Sequence, residues 1–201
     1  MTSLTLYTNP QSRGRIAHWM LEETGTPYET VWLEYGEQMK SPDYLVINPM
    51  GKVSALVHGS VVVTECAAIC AYLADRFPAN HLAPAVDDPR RATYLRWLFF
   101  AAGPLETAVT AKSLGWEVPE GRSQMAGFGS YADVLNAIES ALQVGPWLCG
   151  ELFTAADVYI ASQLGWGMMF ESIEKRSVFE RYVERAYARP ANIESDRLNN
   201  L

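Results

Sequence analysis

Three features of the sequence predict an α/β domain of order βαβαββα followed by an all-α domain. Residues 1–77 alternate between strand-like and helix-like stretches. Residues 78–88, rich in proline, alanine and aspartate, carry no periodicity and read as a linker. Residues 89–201 show only helical spacing.

In the first segment, Ser3 to Thr8 reads as a strand, and Ser12 to Thr24 as a helix. Ile16, Trp19, Met20 and Glu23 stand at helical spacing, and Gly25 lies just past the helix end. Tyr28 to Leu33 is a second strand. Ser41-Pro42 opens a short helix ending near Ile47. Val53 to Leu56 and Val61 to Val63 form a hairpin around Gly59-Ser60. A helix from Glu65 to Phe77, capped by Thr64, puts Cys66, Ile69, Cys70, Leu73 and Phe77 on one face. This order is the thioredoxin-like arrangement, with a parallel first βαβ unit.

After the linker, one long helix is expected from Asp88 to about Ser113 and a second from Arg122 to about Val144. The second carries Met125, Phe128, Ala132, Leu135 and Leu142 at helical spacing. Helices near Thr154–Met168 and Lys175–Ala188 follow. Thr154-Ala155-Ala156-Asp157 has the layout of a capping box with aspartate in the acidic position, a structural signal.

Sixteen basic residues against 23 acidic ones give a net charge of −7, which argues against nucleic acid and anionic membranes as main partners. Cys66, Cys70 and Cys149 form neither a CxxC nor a metal-ligand pattern, so no metal is expected. Their odd number suits a reducing cytoplasm. The amino-terminal residues do not read as a signal peptide, and no apolar run has the length of a membrane span.

The most informative stretch is Asn48-Pro49-Met50-Gly51-Lys52-Val53-Ser54-Ala55-Leu56, followed by Thr64-Glu65-Cys66. It sets a strand edge beside a helix N-terminus, which together offer backbone donors and acceptors to a peptide and a dipole to a carboxylate. It resembles the glutathione-binding half of the cytosolic glutathione S-transferase family, with Ser54 where the family has proline and Cys66 where it has serine. The capping-box segment resembles that family's helical domain, so the resemblance spans nearly the whole chain. The family proline follows a cis bond, and cis geometry is chiefly a property of bonds before proline. Two alternatives therefore stand at Val53–Ser54: a cis bond held by the fold, or a trans bond with a rearranged loop.

The resemblance implies that glutathione is the co-substrate and that its thiolate attacks an apolar electrophile. The turn Tyr7-Thr8-Asn9-Pro10-Gln11-Ser12-Arg13-Gly14 would face the sulfur. Ser12 is expected to donate to the thiolate with help from the N–H groups of Arg13 and Gly14, and Tyr7 is the alternative. Serine is also common at helix N-caps, so a purely structural Ser12 remains open. Arg13 adds positive charge. Val53 supplies the backbone pair for the cysteinyl residue, Glu65 takes the γ-glutamyl ammonium, and the Cys66 N–H takes its carboxylate. Lys52 and Lys40 suit the glycyl carboxylate. Trp97, Phe100, Leu105 and Trp116 are candidates to line the electrophile site. The resemblance also implies a homodimer.

Two other functional classes compete. One is a non-catalytic binding or interaction protein on the same fold, motivated by Ser54 and Cys66. The other is a thiol–disulfide oxidoreductase, disfavoured because no cysteine lies between Tyr7 and Gly25.

Overall fold

The computed structural model describes residues 3–200. The chain divides into two units. Residues through Leu82, together with those from Ala188 onward, form the first, and Ala83–Tyr187 forms the second.

The first unit is built on a four-stranded mixed sheet of order β2-β1-β3-β4. Strand β1 (Leu4–Thr8) runs parallel to β2 (Glu29–Trp32) and antiparallel to β3 (Ala55–His58), which pairs with β4 (Val61–Thr64) through the expected Gly59-Ser60 turn. The parallel pair is joined by α1 (Gly14–Thr24), closed by Gly25 at φ 61°, a left-handed conformation that glycine adopts without Cβ strain. Alternation along β1 sends Leu4, Leu6 and Thr8 to one face and the half-buried Thr5 and Tyr7 to the other. On the second face Tyr7, Leu33, Ile47 and Val53 pack on Met39, Tyr44 and Ala55, with Tyr44 supplied by α2 (Pro42–Ile47). Ser41 caps α2 by accepting from the Tyr44 N–H, and Pro42 sits at the first helical position, where its missing donor costs nothing. Helix α3 (Cys66–Arg76) packs against α1 and buries Ile69, Cys70 and Leu73.

Several boundaries differ from expectation. Thr64 closes β4, and the N-cap of α3 is Glu65, so Thr64 does not cap it. Helix α1 starts at Gly14 because Ser12 and Arg13 are spent on the turn before it. The stretch 78–88 is not uniformly irregular: Pro78–Asn80 forms a 3-10 turn within the first unit.

In the second unit the expected helix over 88–113 is α4 (Arg90–Phe100) and α5 (Glu106–Leu114), joined by a π-helical segment, Ala101–Leu105. Pro104 lacks the N–H that an α-ladder needs, so the helix widens where it passes through. The expected helix over 122–144 is shorter. Gly127 and Gly129 break it, and α6 (Tyr131–Leu142) restarts behind a capping box in which Ser130 and Asp133 exchange hydrogen bonds. Its buried face is Val134, Leu135, Ile138 and Leu142, while Met125 is exposed. Helix α7 (Ala155–Met169) is apolar on nearly all sides and forms the centre of the unit. A Cβ on Gly165 would come within 2.0 Å of the Tyr187 hydroxyl on α8 (Ser177–Tyr187), so only glycine permits that approach.

The sequence says little beyond about Arg189, and the last helix, α9 (Pro190–Asn199), falls within the domain expected over 89–201. It belongs to the first unit, where it packs on α1. Arg189 grips Glu23 of α1 through two bonds of 2.7 Å, and Glu23 also accepts from Trp19 Nε1 at 2.9 Å. Arg15 reaches Asp196 at 2.7 Å.

Candidate functional site

The turn between β1 and α1 is organised by Asn9. Its amide donates to the Leu33 carbonyl at 2.8 Å, and its Oδ1 accepts from the Gln11 N–H at 2.8 Å. Its carbonyl accepts from the Ser12 N–H and, at 2.7 Å, from the Ser12 hydroxyl. Ser12 Oγ in turn accepts from the Gly14 N–H at 2.9 Å. The Ser12 proton and the Gly14 N–H thus serve the turn itself. Sequence reading overlooked Asn9, although an asparagine before Pro-Gln-Ser is a recognisable turn signal.

Gly14 makes this turn possible. A Cβ there would meet Thr8 Oγ1 at 1.9 Å and Ser12 Oγ at 2.9 Å. Tyr7, the alternative to Ser12, lies on the opposite face of β1 from Thr8, its ring tilted against Tyr44 at 5.7 Å in the packed cluster described above.

The loop before β3 is braced from three sides. The Lys52 carbonyl accepts from the Tyr44 hydroxyl at 2.5 Å and from the Asn48 amide at 2.8 Å. Asn48 Oδ1 accepts from the Met50 N–H at 3.0 Å. Lys40 Nζ donates to the Met50 carbonyl at 2.7 Å, which fixes one predicted cation against the loop that carries the other, exposed Lys52. The Val53–Ser54 peptide bond is cis. Ala55 is the first residue in register with both β1 and β4, so the backbone of Val53 lies outside both ladders.

Cys66 joins these pieces. Its thiol donates to the Arg13 carbonyl at 3.4 Å and lies 3.5 Å from Ser54 Oγ. One buried sulfur therefore ties together the β1–α1 turn, the loop before β3 and the start of α3. A thiol so enclosed is structural. Cys70 is inert as well, because burial pushes its pKa well up. Beside Cys66, Glu65 is exposed and holds φ 69° and ψ 125°, a conformation that a residue with a Cβ rarely adopts. Its carboxylate has no hydrogen bond or ion pair among the described residues and does not cap its own helix. The first N–H groups of α3 point beyond the helix, as at any N-terminus. The structure therefore gathers Ser12, Arg13, Val53, Ser54, Glu65 and Cys66 through this junction, with Lys40 and Lys52 on the adjoining loop.

The electrophile-site candidates divide. Trp97 and Leu105, at 1% and 0% exposure, are packed in the core. An aromatic or leucine at helical spacing is core more often than site. Phe100 is half-buried with its ring edge-on to Trp97 at 5.1 Å, and Trp116 is 65% exposed beyond α5.

In the second unit, Asp157 accepts from the Leu148 N–H, the Thr154 N–H, the Thr154 hydroxyl and the Tyr182 hydroxyl. Burial pushes its carboxyl up to about 6 despite these bonds, each of which favours the charged form. This cluster organises the start of α7 and takes no part in the site.

A family model described as the glutathione S-transferase N-terminal domain matches residues 2–75, and one described as its C-terminal domain matches 95–190. Glutathione S-transferase GST-4.5 of Xanthomonas campestris is 30% identical over 168 residues, 81% of this chain and 82% of its own length. Glutathione S-transferase GstA of Escherichia coli O157:H7 is 28% identical over 195 residues, 90% and 94% of the two chains. A solved glutathione transferase from Methylococcus capsulatus aligns with TM-score 0.81 and 30% identity over 98% of both chains. A sphingomonad glutathione S-transferase complexed with glutathione aligns with TM-score 0.78 and 28% identity, covering 98% of this chain and 99% of the other.

Proposed function

The chain belongs to the glutathione S-transferase family, and from that premise we propose that it binds glutathione along the loop before β3 and activates its thiolate for attack on an apolar electrophile. The observation that carries this reading is the Cys66 junction, which holds the sulfur-facing turn, the peptide-facing loop and the α3 N-terminus together.

Each part of the tripeptide has a complement. The free backbone of Val53 pairs with the cysteinyl residue as an added strand. The unpartnered Glu65 carboxylate accepts from the γ-glutamyl ammonium, and the Cys66 N–H binds the adjoining carboxylate at the positive end of α3. Lys52 and the loop-braced Lys40 neutralise the glycyl carboxylate, and Arg13 adds positive charge. Ser12 donates to the sulfur once its proton turns from the Asn9 carbonyl, while the Gly14 N–H polarises its oxygen. A thiol near pKa 8.5 is mostly protonated at pH 7, so this donation favours loss of its proton to water. The thiolate then forms a sulfur–carbon bond as the leaving group departs with its electron pair. Phe100 and Trp116 remain as apolar side chains available to the electrophile.

We extend the reading to a cytoplasmic homodimer. All three cysteines are free, which suits a reducing compartment. Exposed Val61 and Val62 on the edge strand β4 suit a second copy. Sedimentation velocity checks the dimer.

Turnover of 1-chloro-2,4-dinitrobenzene with glutathione, measured beside calorimetric glutathione binding, tests the function. Saturable turnover is expected, and absence of both turnover and binding overturns the proposal. The commitment of the Ser12 proton to Asn9 favours one second reading, a protein that holds glutathione without activating it. Binding without turnover would establish that reading.

A further inference from the structure

The first unit contains a cavity of about 770 Å³ that the proposed function does not use. It lies among α1, β2 and the end of α9, and apart from Pro10 of the β1–α1 turn none of its lining residues belongs to the glutathione assignments above. Its volume falls within the range of pockets that hold small organic ligands.

Two buried polar side chains of its wall are left unsatisfied. His18 is 1% exposed; the Asn199 side chain lies close enough to favour its charged form, but neither ring nitrogen has a hydrogen bond of good geometry among the described residues. Asn199 is 6% exposed, and its amide nitrogen bonds back to Ser195, but its Oδ1 accepts nothing among those residues. Buried polar atoms without good partners cost about 1–3 kcal/mol each, and by facing each other His18 and Asn199 can relieve only one pair of these three, so the wall keeps polar capacity for an occupant.

The surrounding chemistry narrows the occupant. Trp32 and Tyr28 set their rings around the His18 imidazole at 5.7 and 5.5 Å, both edge-on, and leave flat apolar walls. Burial lowers the His18 pKa, so at pH 7 the ring is neutral and offers one donor and one acceptor. Asn199 Oδ1 only accepts. The charged residues of the lining are Glu22, already taking the Tyr28 hydroxyl at 2.5 Å, and Glu34, with no lysine or arginine among them. An anion entering here meets two carboxylates and no cation in the lining, although the charge of nearby Arg15 reaches His18.

We propose that this cavity is a second ligand site, separate from the glutathione site, that takes an uncharged or cationic aromatic amine. The aromatic body lies against Trp32 and Tyr28, and its N–H donates to Asn199 Oδ1 or to the accepting nitrogen of His18. Glutathione and its conjugates, being acidic, are excluded.

The test uses N-phenyl-1-naphthylamine, an uncharged fluorescent aromatic amine, and its sulfonated counterpart 1-anilinonaphthalene-8-sulfonate. With the whole chain and saturating S-hexylglutathione, the amine is expected to bind saturably at one site per chain. The sulfonate is expected to bind at least tenfold more weakly. Asn199→Leu and His18→Phe should each weaken the amine at least tenfold while leaving dinitrobenzene turnover unchanged. Because either variant can disturb the α1–α9 packing, the His18 Cε1–H resonance of the unaltered chain is followed as well and should shift in step with amine binding. Displacement of the amine by S-hexylglutathione overturns the proposal, as does an unmoved His18 resonance or equal binding of the sulfonate. A cavity holding water alone shows no saturable binding, which likewise overturns it.

Discussion

Ser12 has a hydroxyl with two structural bonds and one proposed chemical task, and the two roles separate by measurement. Ser12→Ala removes the acceptor of the Gly14 N–H and the donor to the Asn9 carbonyl, and should cost about 1 kcal/mol of stability, the scale of losing a buried turn hydrogen bond. If the hydroxyl also stabilises the thiolate, kcat/KM falls by roughly 10²-fold, the scale of removing one oxyanion donor. The ultraviolet thiolate band of bound glutathione then moves to higher pH. A stability loss with an unmoved thiolate titration would leave Ser12 with its turn role only. Gly14→Ala drives a Cβ against Thr8 Oγ1 and the Ser12 hydroxyl, so it should lower stability by about 1–3 kcal/mol, read from urea unfolding. Thr8→Val does the opposite. The Thr8 hydroxyl is buried with no partner among the described residues, so replacing it by a methyl should hold or raise the Tm. Short turn and helix-start signals are local, which is why the sequence could place Ser12 in the turn before α1 and Glu65 and Cys66 at the start of α3. The sequence hid the competition for the Ser12 proton, because that depends on the Asn9 carbonyl folding back over three residues.

Helix α7 shows how much rests on one element's first turn. Asp157 collects two backbone N–H groups and two hydroxyls from three separate stretches of chain, and in Asp157→Ala all four lose the carboxylate, with only the Tyr182 hydroxyl keeping a long contact of 3.5 Å to the residue's own carbonyl. The expected cost is about 2–4 kcal/mol in urea unfolding at pH 7. Its pH dependence has a definite sign. The folded-state pKa of about 6 lies above the ordinary 3.8, so between those values the folded protein holds more protons than the unfolded chain. The contribution of Asp157 to stability therefore falls as pH rises from 4 to 6 and is level above. The advantage of the unaltered chain over Asp157→Ala should shrink across that window by about 2–3 kcal/mol. An advantage that grows with pH would mean that the hydrogen bonds outweigh burial. The capping pattern Thr154-x-x-Asp157 was visible in sequence, because caps use residues three apart. The partners Leu148 and Tyr182 were not, since they arrive through tertiary packing. The same limit explains the misplaced start of α6: apolar spacing continued back through Met125 and Phe128, but the glycines at 127 and 129 end the helix.

The chain leaves its first unit at Leu82 and returns to it at Ala188, and this path was not legible in the sequence. A short polar helix such as α9 lacks the apolar stripe that announces burial, and what holds it to α1 is largely charged. Arg189 forks onto Glu23, whose side chain is only 5% exposed, while Arg15 pairs with the more open Asp196. The exposed pair should contribute little, within about 0–1 kcal/mol. The Arg189–Glu23 pair is different, because removing the arginine leaves a nearly buried carboxylate held, among the described residues, by Trp19 Nε1 alone. Arg189→Ala should therefore cost about 1–3 kcal/mol, and Arg15→Ala much less. A double-mutant cycle isolates the pair. Once Glu23→Gln has removed the stranded charge, adding Arg189→Ala should cost at least about 1 kcal/mol less than it does in the parent chain. Additive single and double variants, measured by urea unfolding at low and high salt, would show that α9 is held by its apolar contacts and not by this clamp.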